Sequence, residues 1–330
     1  MNYDIIVVGA GPAGLSAAIE AKRKNFSVLV VDKGPIVNSI QNFPGGMIFF
    51  STVELLEIAG VPFIASSHHP TRAEAVNYYA RVAKSYEIDF RGNSRVLSVR
   101  RDSNGAACFN VEIKNSITSK LSFVLSDKII VATGFYDNPN LLNVPGENLP
   151  SVSHYYREPG IHFGQKVVVI GGKNSAVEAT LDLYRHGVKV ILIHRRECLG
   201  KSVKYWILPD IENRIKNGEI MVYFDSRVLE IKPDRVVIEK SRRRQEIISD
   251  FVYALTGYHP AVDFLREIGI EVDEITGVPK HDPVTLESNV KGIFVAGSII
   301  AGFDCNKIFI ENGREHGKLI AKSISHELER

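Results

Sequence analysis

A strand, a glycine turn, a helix and a second strand occur twice in this chain, and that duplication limits its fold more than any other feature. The first copy begins with the apolar strand Ile5-Ile6-Val7-Val8 and the turn Gly9-Ala10-Gly11-Pro12-Ala13-Gly14. A helix with Leu15, Ala18 and Ile19 at helical spacing follows, then the strand Val28-Leu29-Val30-Val31, which ends at Asp32. The second copy has the strand Val167-Val168-Val169-Ile170 and the turn Gly171-Gly172-Lys173-Asn174-Ser175-Ala176. Its helix carries Val177, Leu181 and Tyr184, and its second strand, Val190-Ile191-Leu192-Ile193, ends in His194-Arg195-Arg196. Unbroken apolar strands mark parallel sheets buried on both faces. Two such units in 330 residues predict an α/β chain of two Rossmann-like doubly wound domains with two nucleotide-sized sites.

Between the copies, Phe109 to Lys114 alternates polar and apolar residues, which predicts antiparallel ribbon. Lys128 to Gly134 and Phe251 to Gly257 are apolar strands ending in small residues. Each is expected to return the chain from a ribbon to a sheet edge. Pro139, Pro145 and Pro260 place crossings between domains near 138–144 and 258–262. The predicted division is 1–140 for the first domain, 141–257 for an inserted second domain, and 258–330 for the rest of the first. That last part is expected to hold a strand (Gly292 to Gly297), a loop, and a helix from about Lys307 to the end.

The turns carry the chemistry. Gly9 allows a tight bend, Gly11 lets backbone approach a pyrophosphate, and Gly14 lets helix and strand pack closely, while the helix start offers free amides. Asp32 lies 18 positions after Gly14, where a carboxylate can take both hydroxyls of an unphosphorylated ribose; the residues alone indicate FAD or NAD. The second unit has no acid after Ile193; Arg195 and Arg196 follow instead, and guanidinium forks suit the 2′-phosphate of NADPH. Lys173 replaces the middle glycine of the fingerprint, but Gly171 and Gly172 can still turn the chain, and Ser175 is expected to cap the helix and donate to phosphate. A flavin site beside an NADPH site implies hydride transfer from nicotinamide to flavin, with the electrons then passed on.

Composition removes other classes. There are 40 basic and 38 acidic residues, so no net field holds a nucleic acid. Three cysteines, none in a Cys-x-x-Cys pair, form neither a disulfide framework nor a zinc site, which fits a reducing cytoplasm. Met1-Asn2-Tyr3-Asp4 lacks a cationic signal-peptide start. The longest uncharged apolar stretch, Ile5 to Ile19, is too short and too broken to span a bilayer, so neither secretion nor membrane insertion is expected.

Longer strings extend the reading. They are Asn138 to Glu147 (NPNLLNVPGE), Ser153-His154-Tyr155-Tyr156, Val168 to Glu178 (VVIGGKNSAVE), Trp206 to Pro209, Thr256 to Pro260 and Lys307 to Gly317 (KIFIENGREHG). Through them the whole chain resembles the two-dinucleotide-binding flavoproteins of the thioredoxin-reductase-like group, and within it the bacillithiol disulfide reductases (YpdA-type). The resemblance implies FAD in the discontinuous first domain and NADPH in the inserted second one. Residue by residue it puts the FAD pyrophosphate at Gly9, Gly11, Pro12, Ala13 and Gly14, and the adenosine ribose at Asp32. It puts the flavin beside Gln41, Asn42 and Phe43, the adenine at Val96, and further FAD contacts at Gly134, Gly297 and Ser298. Ile308 and Phe309 would begin a helix whose positive end faces the isoalloxazine. NADPH would meet Gly171, Gly172, Asn174, Ser175, Arg195 and Arg196. A homodimer is also implied.

Three departures shape the expected activity. Thioredoxin reductases carry Cys-x-x-Cys where this chain has Ser153-His154-Tyr155-Tyr156, so electron relay to thioredoxin is not expected. Some bacillithiol disulfide reductases have a cysteine where this chain has Ala13. Ser298 stands where the wider group usually has an acid. Cys305 is the one candidate catalytic residue, expected just before the helix that faces the flavin, where a thiolate would be favoured; the ordinary alternative is a space-filling thiol. Cys108 in ribbon and Cys198 in a surface loop are expected to be inert. His68-His69 lacks a partner at metal-ligand spacing. His154, His259 and His316 could donate protons near the flavin, but such residues are more often structural hydrogen-bonding groups. Lys240 to Arg244 fits a solvated hairpin tip or a docking patch for an acidic redox protein, and Trp206 fits the core. The leading expectation is NADPH-dependent reduction of a low-molecular-weight disulfide of the bacillithiol type, the partner being a small-molecule disulfide or a small redox protein. Alternatives are a ferredoxin or flavodoxin reductase and a nucleotide-binding redox sensor.

Overall fold

The computed structural model describes residues 2–101, 109–200, 202–305 and 307–328; Cys108 lies outside them. The chain divides into two compact units, one of Met1–Asn42, Gly46–Asn138 and Tyr258–Arg330, the other of Phe43–Gly45 and Pro139–Gly257. The first unit opens with β1 (Asn2–Val8), α1 (Pro12–Lys22), β2 (Val28–Val31), α2 (Asn38–Gln41), α3 (Val53–Leu56) and α4 (Arg72–Ser85). It continues with β3 (Asp89–Arg91), β4 (Ser94–Arg101), β5 (Phe109–Asn115) and β6 (Leu121–Val131). The second unit holds β7 (Val152–Ser153), β8 (Lys166–Ile170), α5 (Asn174–Arg185), β9 (Lys189–Ile193), α6 (Leu208–Lys216) and β10 (Met221–Tyr223). It ends with β11 (Ser226–Lys232), β12 (Arg235–Lys240), β13 (Arg243–Ile248) and β14 (Phe251–Ala254). The first unit then resumes with α7 (Val262–Glu267), β15 (Ile293–Val295), α8 (Ile310–Gly313) and α9 (His316–Leu328).

In the first unit β3, β2, β1 and β6 run parallel, with β5 and β4 continuing antiparallel beyond β6. Strand alternation divides the core. Ile6 and Val8 pack with Val96, Val99, Phe109 and Val111, while Ile5 and Val7 pack with Ala17, Ala18 and Ala21 of α1 and Ile320 and Ile324 of α9. The expectation that Lys128 to Gly134 forms a sheet edge is corrected: β6 is an 11-residue strand at the centre. It pairs with β1 along most of its length, with β5 at its start and with β15 at Ile129 to Val131. Its apolar C-terminal half needs neighbours on both sides, and β15 supplies the second after β5 ends. Likewise β14 lies inside β7 rather than at the edge.

The second unit has a parallel sheet in the order β10-β9-β8-β14-β7. Val167 and Val169 pack with Ala176, Val177 and Leu181 of α5; Val168 and Ile170 pack with Val228, Val236, Ile238 and Ile247 of the antiparallel β11-β12-β13 sheet. Ser241 and Arg242 have φ of 50° and 61°, the left-handed pair expected of a two-residue hairpin turn. The basic run is thus an exposed tip. Trp206 does not enter the core as expected: it is 43% exposed and packs edge-on against Tyr205 with Lys204 Nζ over its ring. Val203 and Ile211, on either side of it, are buried instead.

The C-terminal helix is also corrected. Helix begins at Ile310, lasts four residues as α8, and breaks at Arg314 and Glu315 before α9. Tertiary hydrogen bonds hold the break: Arg314 Nη1 donates to the Glu54 and Glu57 carbonyls at 2.7 and 2.6 Å, and Ser16 Oγ donates to the Arg314 carbonyl at 2.6 Å.

Candidate dinucleotide-binding sites

The first turn combines packed and open glycines. Gly9 has φ of 110°, and a Cβ there would lie 2.3 Å from the Ala132 carbonyl oxygen; one at Gly14 would lie 2.0 Å from the Gly9 oxygen. These contacts seat α1 against β1 and β6. A Cβ at Gly11, by contrast, meets nothing within 4 Å, so its backbone faces open space. Gly11 is the N-cap of α1, makes no side-chain cap, and no acid lies in the first turn. The amides there suit an anion. Asp32 Oδ2 accepts from Ala10 N–H at 2.7 Å and Oδ1 from Gly34 N–H at 2.8 Å. Burial raises its carboxyl above the ordinary range, and those two amides oppose the rise.

Other predicted FAD residues gather here. A Cβ at Gly297 would lie 2.8 Å from Ala13 Cβ, and one at Gly134 would lie 3.8 Å from Ser298 Oγ. Thr133, between Ala132 and Gly134, has a buried Oγ1 without a partner among the described residues. Gln41 ends α2 and Asn42 caps it; Val37 N–H ties that helix to the Ala10 carbonyl at 3.0 Å. Phe43 groups with the second unit instead. The Val96 side chain is buried in the core cluster, so only its backbone could reach a ligand. Ile308 and Phe309 precede α8 rather than starting it; Phe309 N–H donates to Asn312 Oδ1 at 2.8 Å. A four-residue helix carries little dipole, which weakens the charge stabilisation expected there.

Beside this cluster, His316 Nδ1 accepts from Gly297 N–H at 3.0 Å. Burial, with a smaller push from His281, holds the imidazole below its ordinary value. The fold therefore favours neutral His316. That contribution is complete above about pH 6.5 and is lost as pH falls from there toward the lower native value. The fall in Tm between about pH 7.5 and about pH 5.5 should be smaller in His316→Gln than in the parent chain; an equal fall contradicts this.

The second turn has a different chemistry. Lys173 is the N-cap of α5, and Ser175 lies inside the helix with no side-chain cap bond, so the expected serine cap is corrected. The Asn174 side chain is engaged: Nδ2 donates to the Ser202 carbonyl at 3.1 Å and Oδ1 accepts from Lys204 N–H at 2.9 Å. It fastens the loop after the arginines to α5, and Gly200 N–H adds a bond to the Gly172 carbonyl at 3.2 Å. Lys173, Arg195 and Arg196 are exposed, and none forms an ion pair among the described residues. Sequence reasoning passed over His194, which follows β9 as Asp32 follows β2. Its ring packs on Gly172, and burial, then the charges of Arg196 and Arg195, hold its imidazole below the ordinary value.

A family model described as "Pyridine nucleotide-disulphide oxidoreductase" matches residues 6–297. The chain belongs to that family. Bacilliredoxin reductase Bdr of Bacillus subtilis (strain 168) is 44% identical over 97% of both chains. The structure is similar to bacillithiol disulfide reductase Bdr (YpdA) from Bacillus cereus, with TM-score 0.95 and 41% identity, covering 99% of this chain and 100% of that one. The corresponding protein from Staphylococcus aureus gives TM-score 0.92 and 37% identity, covering 99% of each.

For a disulphide oxidoreductase the thiols matter. Cys198 is exposed. Cys305 is part-buried, its Sγ donating to the Tyr258 carbonyl at 3.3 Å and the Gly302 carbonyl at 3.6 Å. It lies five positions before α8, not at a helix start as the sequence suggested. In the Ser153-His154-Tyr155-Tyr156 stretch, His154 Nδ1 lies 3.1 Å from the Ala254 carbonyl and Nε2 lies 3.4 Å from Glu147. Glu147 also accepts from Asn143 N–H at 2.8 Å. His259 Nδ1 faces the Pro260 carbonyl at 2.8 Å. The His154 ring links the end of β14 to Glu147, whereas the His259 contact is with the next residue in the chain. No group of three metal-ligating side chains occurs among the described residues.

Proposed function

We propose that this oxidoreductase takes electrons from NADPH at the second turn, uses FAD at the first, and reduces a low-molecular-weight disulfide of the bacillithiol type. The observation that carries the reading is the contrast between the turns. One is anchored by a carboxylate; the other is flanked by cations with no acidic partner among the described residues. Bound FAD would supply hydride acceptance from nicotinamide and delivery of the electron pair to the acceptor. Gly9, Gly11, Pro12, Ala13, Gly14 and Asp32 would hold its pyrophosphate and ribose, with Gly134, Gly297 and Ser298 beside them. Arg195 and Arg196 would hold the 2′-phosphate of NADPH. The names of the similar proteins support the acceptor class, and the absence of Cys-x-x-Cys argues against thioredoxin.

The chain's own thiol has a limited part in this reading. Cys305 is part-buried with its Sγ against the Tyr258 and Gly302 carbonyls, five positions before α8, and we assign it a packing role. Cys305→Ser should keep disulfide turnover within about twofold; a loss beyond about tenfold would place the thiol in the mechanism. Ala13 favours one competing reading, electron delivery to ferredoxin or flavodoxin, which needs no thiol. NADPH consumption measured separately with bacillithiol disulfide and with ferredoxin-coupled cytochrome decides: turnover with the disulfide supports the proposal, and turnover only with ferredoxin replaces it. No helix among the described residues is long and apolar enough to cross a membrane. We also propose that the enzyme is a cytoplasmic homodimer; light scattering of the purified protein checks the dimer.

A further inference from the structure

Three strand ends meet at the first turn, and one of them is fastened by a side chain that lies outside every turn. β6 runs parallel to β1 on one side and to β15 on the other, so residues 9–14, 133–134 and 297–298 leave the sheet at the same end. Carboxyl ends of parallel strands are where such sheets take their ligands. A Cβ at Gly297 would lie 2.8 Å from Ala13 Cβ, and one at Gly134 would lie 3.8 Å from Ser298 Oγ. Gly297 and Ser298 therefore adjoin both of the other turns. Gly297 is buried, with φ of 74°. The ladder ends one residue earlier, where Ala296 N–H donates to the Val131 carbonyl at 2.9 Å. The buried Gly297 N–H needs another acceptor, and His316 Nδ1 supplies it at 3.0 Å.

The chain around His316 is arranged to place that ring. Arg314 and Ser16 hold the break after α8, and α9 then begins at His316 itself. A Cβ at Gly313 would lie 3.4 Å from Gly297 Cα, and one at Gly317 would lie 2.7 Å from Ala17 N and 2.8 Å from Ala17 Cα. Glycines before and after the histidine thus let α8 close on Gly297 and α9 close on α1, the helix that opens from the first turn. The start of α9 reaches two walls of the same cradle, α1 through Gly317 and Gly297 through the imidazole.

We propose that His316 is a positioning residue for FAD. It fixes the Gly297 amide, and through that amide the wall that Gly297 and Ser298 set against the first turn. The ring acts through backbone and has no contact with the cofactor in this scheme. Without an acceptor at Nδ1 the buried N–H is left unpaired, and Gly297 shifts from its seat on Ala13 to reach water. The cradle then loses its shape although every residue lining it is unchanged. The inference rests on the first turn being the FAD site, and the test separates the two ideas.

Dilution of the FAD-loaded protein, followed by the fluorescence of released flavin, gives the dissociation constant without turnover. Parent protein that holds no FAD, or Gly11→Ala that holds it as tightly as the parent, refutes the first-turn site and the inference with it. Given that site, His316→Leu keeps the bulk, removes the acceptor, and should weaken FAD binding by at least about tenfold. His316→Asn should stay within about threefold of the parent, because its Oδ1 stands as many bonds from Cα as Nδ1 does. Binding within about twofold of the parent in His316→Leu, or an equal loss in the leucine and asparagine variants, overturns the proposal, whatever happens to the Tm. Should His316→Leu fail to fold, His316→Gln replaces it, since its carbonyl lies one bond further out. FAD held more tightly by the asparagine than by the glutamine variant supports the proposal, and equal affinities overturn it.

Discussion

Gly14→Ala is expected to emerge with little or no bound flavin and a lowered Tm, whereas Gly11→Ala should lose flavin while keeping the parent Tm measured without cofactor. A Cβ at 14 would stand 2.0 Å from the Gly9 carbonyl oxygen and 3.3 Å from Ala132 Cβ. The first contact is with backbone, which cannot rotate away, so α1 must withdraw from the β1–β6 floor. α1 is held from its other side too: a Cβ at Gly317 of α9 would lie 2.7 Å from Ala17 N, so these helices already pack backbone to backbone. Overpacking of this kind costs about 1–3 kcal/mol, and each kcal/mol lowers the Tm by about 2–4 °C in a unit of this size. Gly11 has φ of −73° and nothing within 4 Å of its Cβ position. Alanine is conformationally ordinary there and harms only the approach of a ligand. Absorbance of the purified variants and their melting curves check both outcomes; full flavin content in Gly14→Ala would show that the turn does not cradle the cofactor.

Replacing Arg195 and Arg196 together by alanine should raise the KM for NADPH by roughly a hundredfold or more and leave that for NADH nearly unchanged. Hydrogen bonds to charged groups contribute about 1.5–3 kcal/mol each, so removing both guanidinium groups from the phosphate costs at least about 3 kcal/mol. Both side chains lie open to solvent without an acidic partner among the described residues, so their removal breaks no internal ion pair and the fold should persist. Steady-state kinetics with each coenzyme reads the difference. An equal rise for both would mean that the arginines do not read the 2′-phosphate.

The turns were legible in the sequence because glycine, flanking strand and strand-end charge form a local signal. Gly9 and Gly14 make the tight bend and the close packing that their spacing implies, and Asp32 ends up at the strand end beside the turn. What could not be read locally depends on remote partners. The central position of β6 follows from β15, more than 160 residues away. The break between α8 and α9 follows from Arg314 reaching carbonyls of Glu54 and Glu57. Trp206 looks like core by composition, yet Val203 and Ile211 fill that space. The bonds by which the Asn174 amide fastens the loop at Ser202 and Lys204 are likewise not visible in the turn itself. Only His194 had a visible signal that was passed over: it shares the spacing of Asp32, and its neighbour turns from alanine to glycine.

Anaerobic titration of the purified enzyme with NADPH, followed by addition of bacillithiol disulfide, joins both sites and the acceptor in one experiment. The flavin absorbance should bleach in proportion to the NADPH added and recover when the disulfide is supplied. Colourless protein that cannot be reconstituted with FAD, or a flavin that NADPH leaves oxidised, would contradict the two-site reading of this chain.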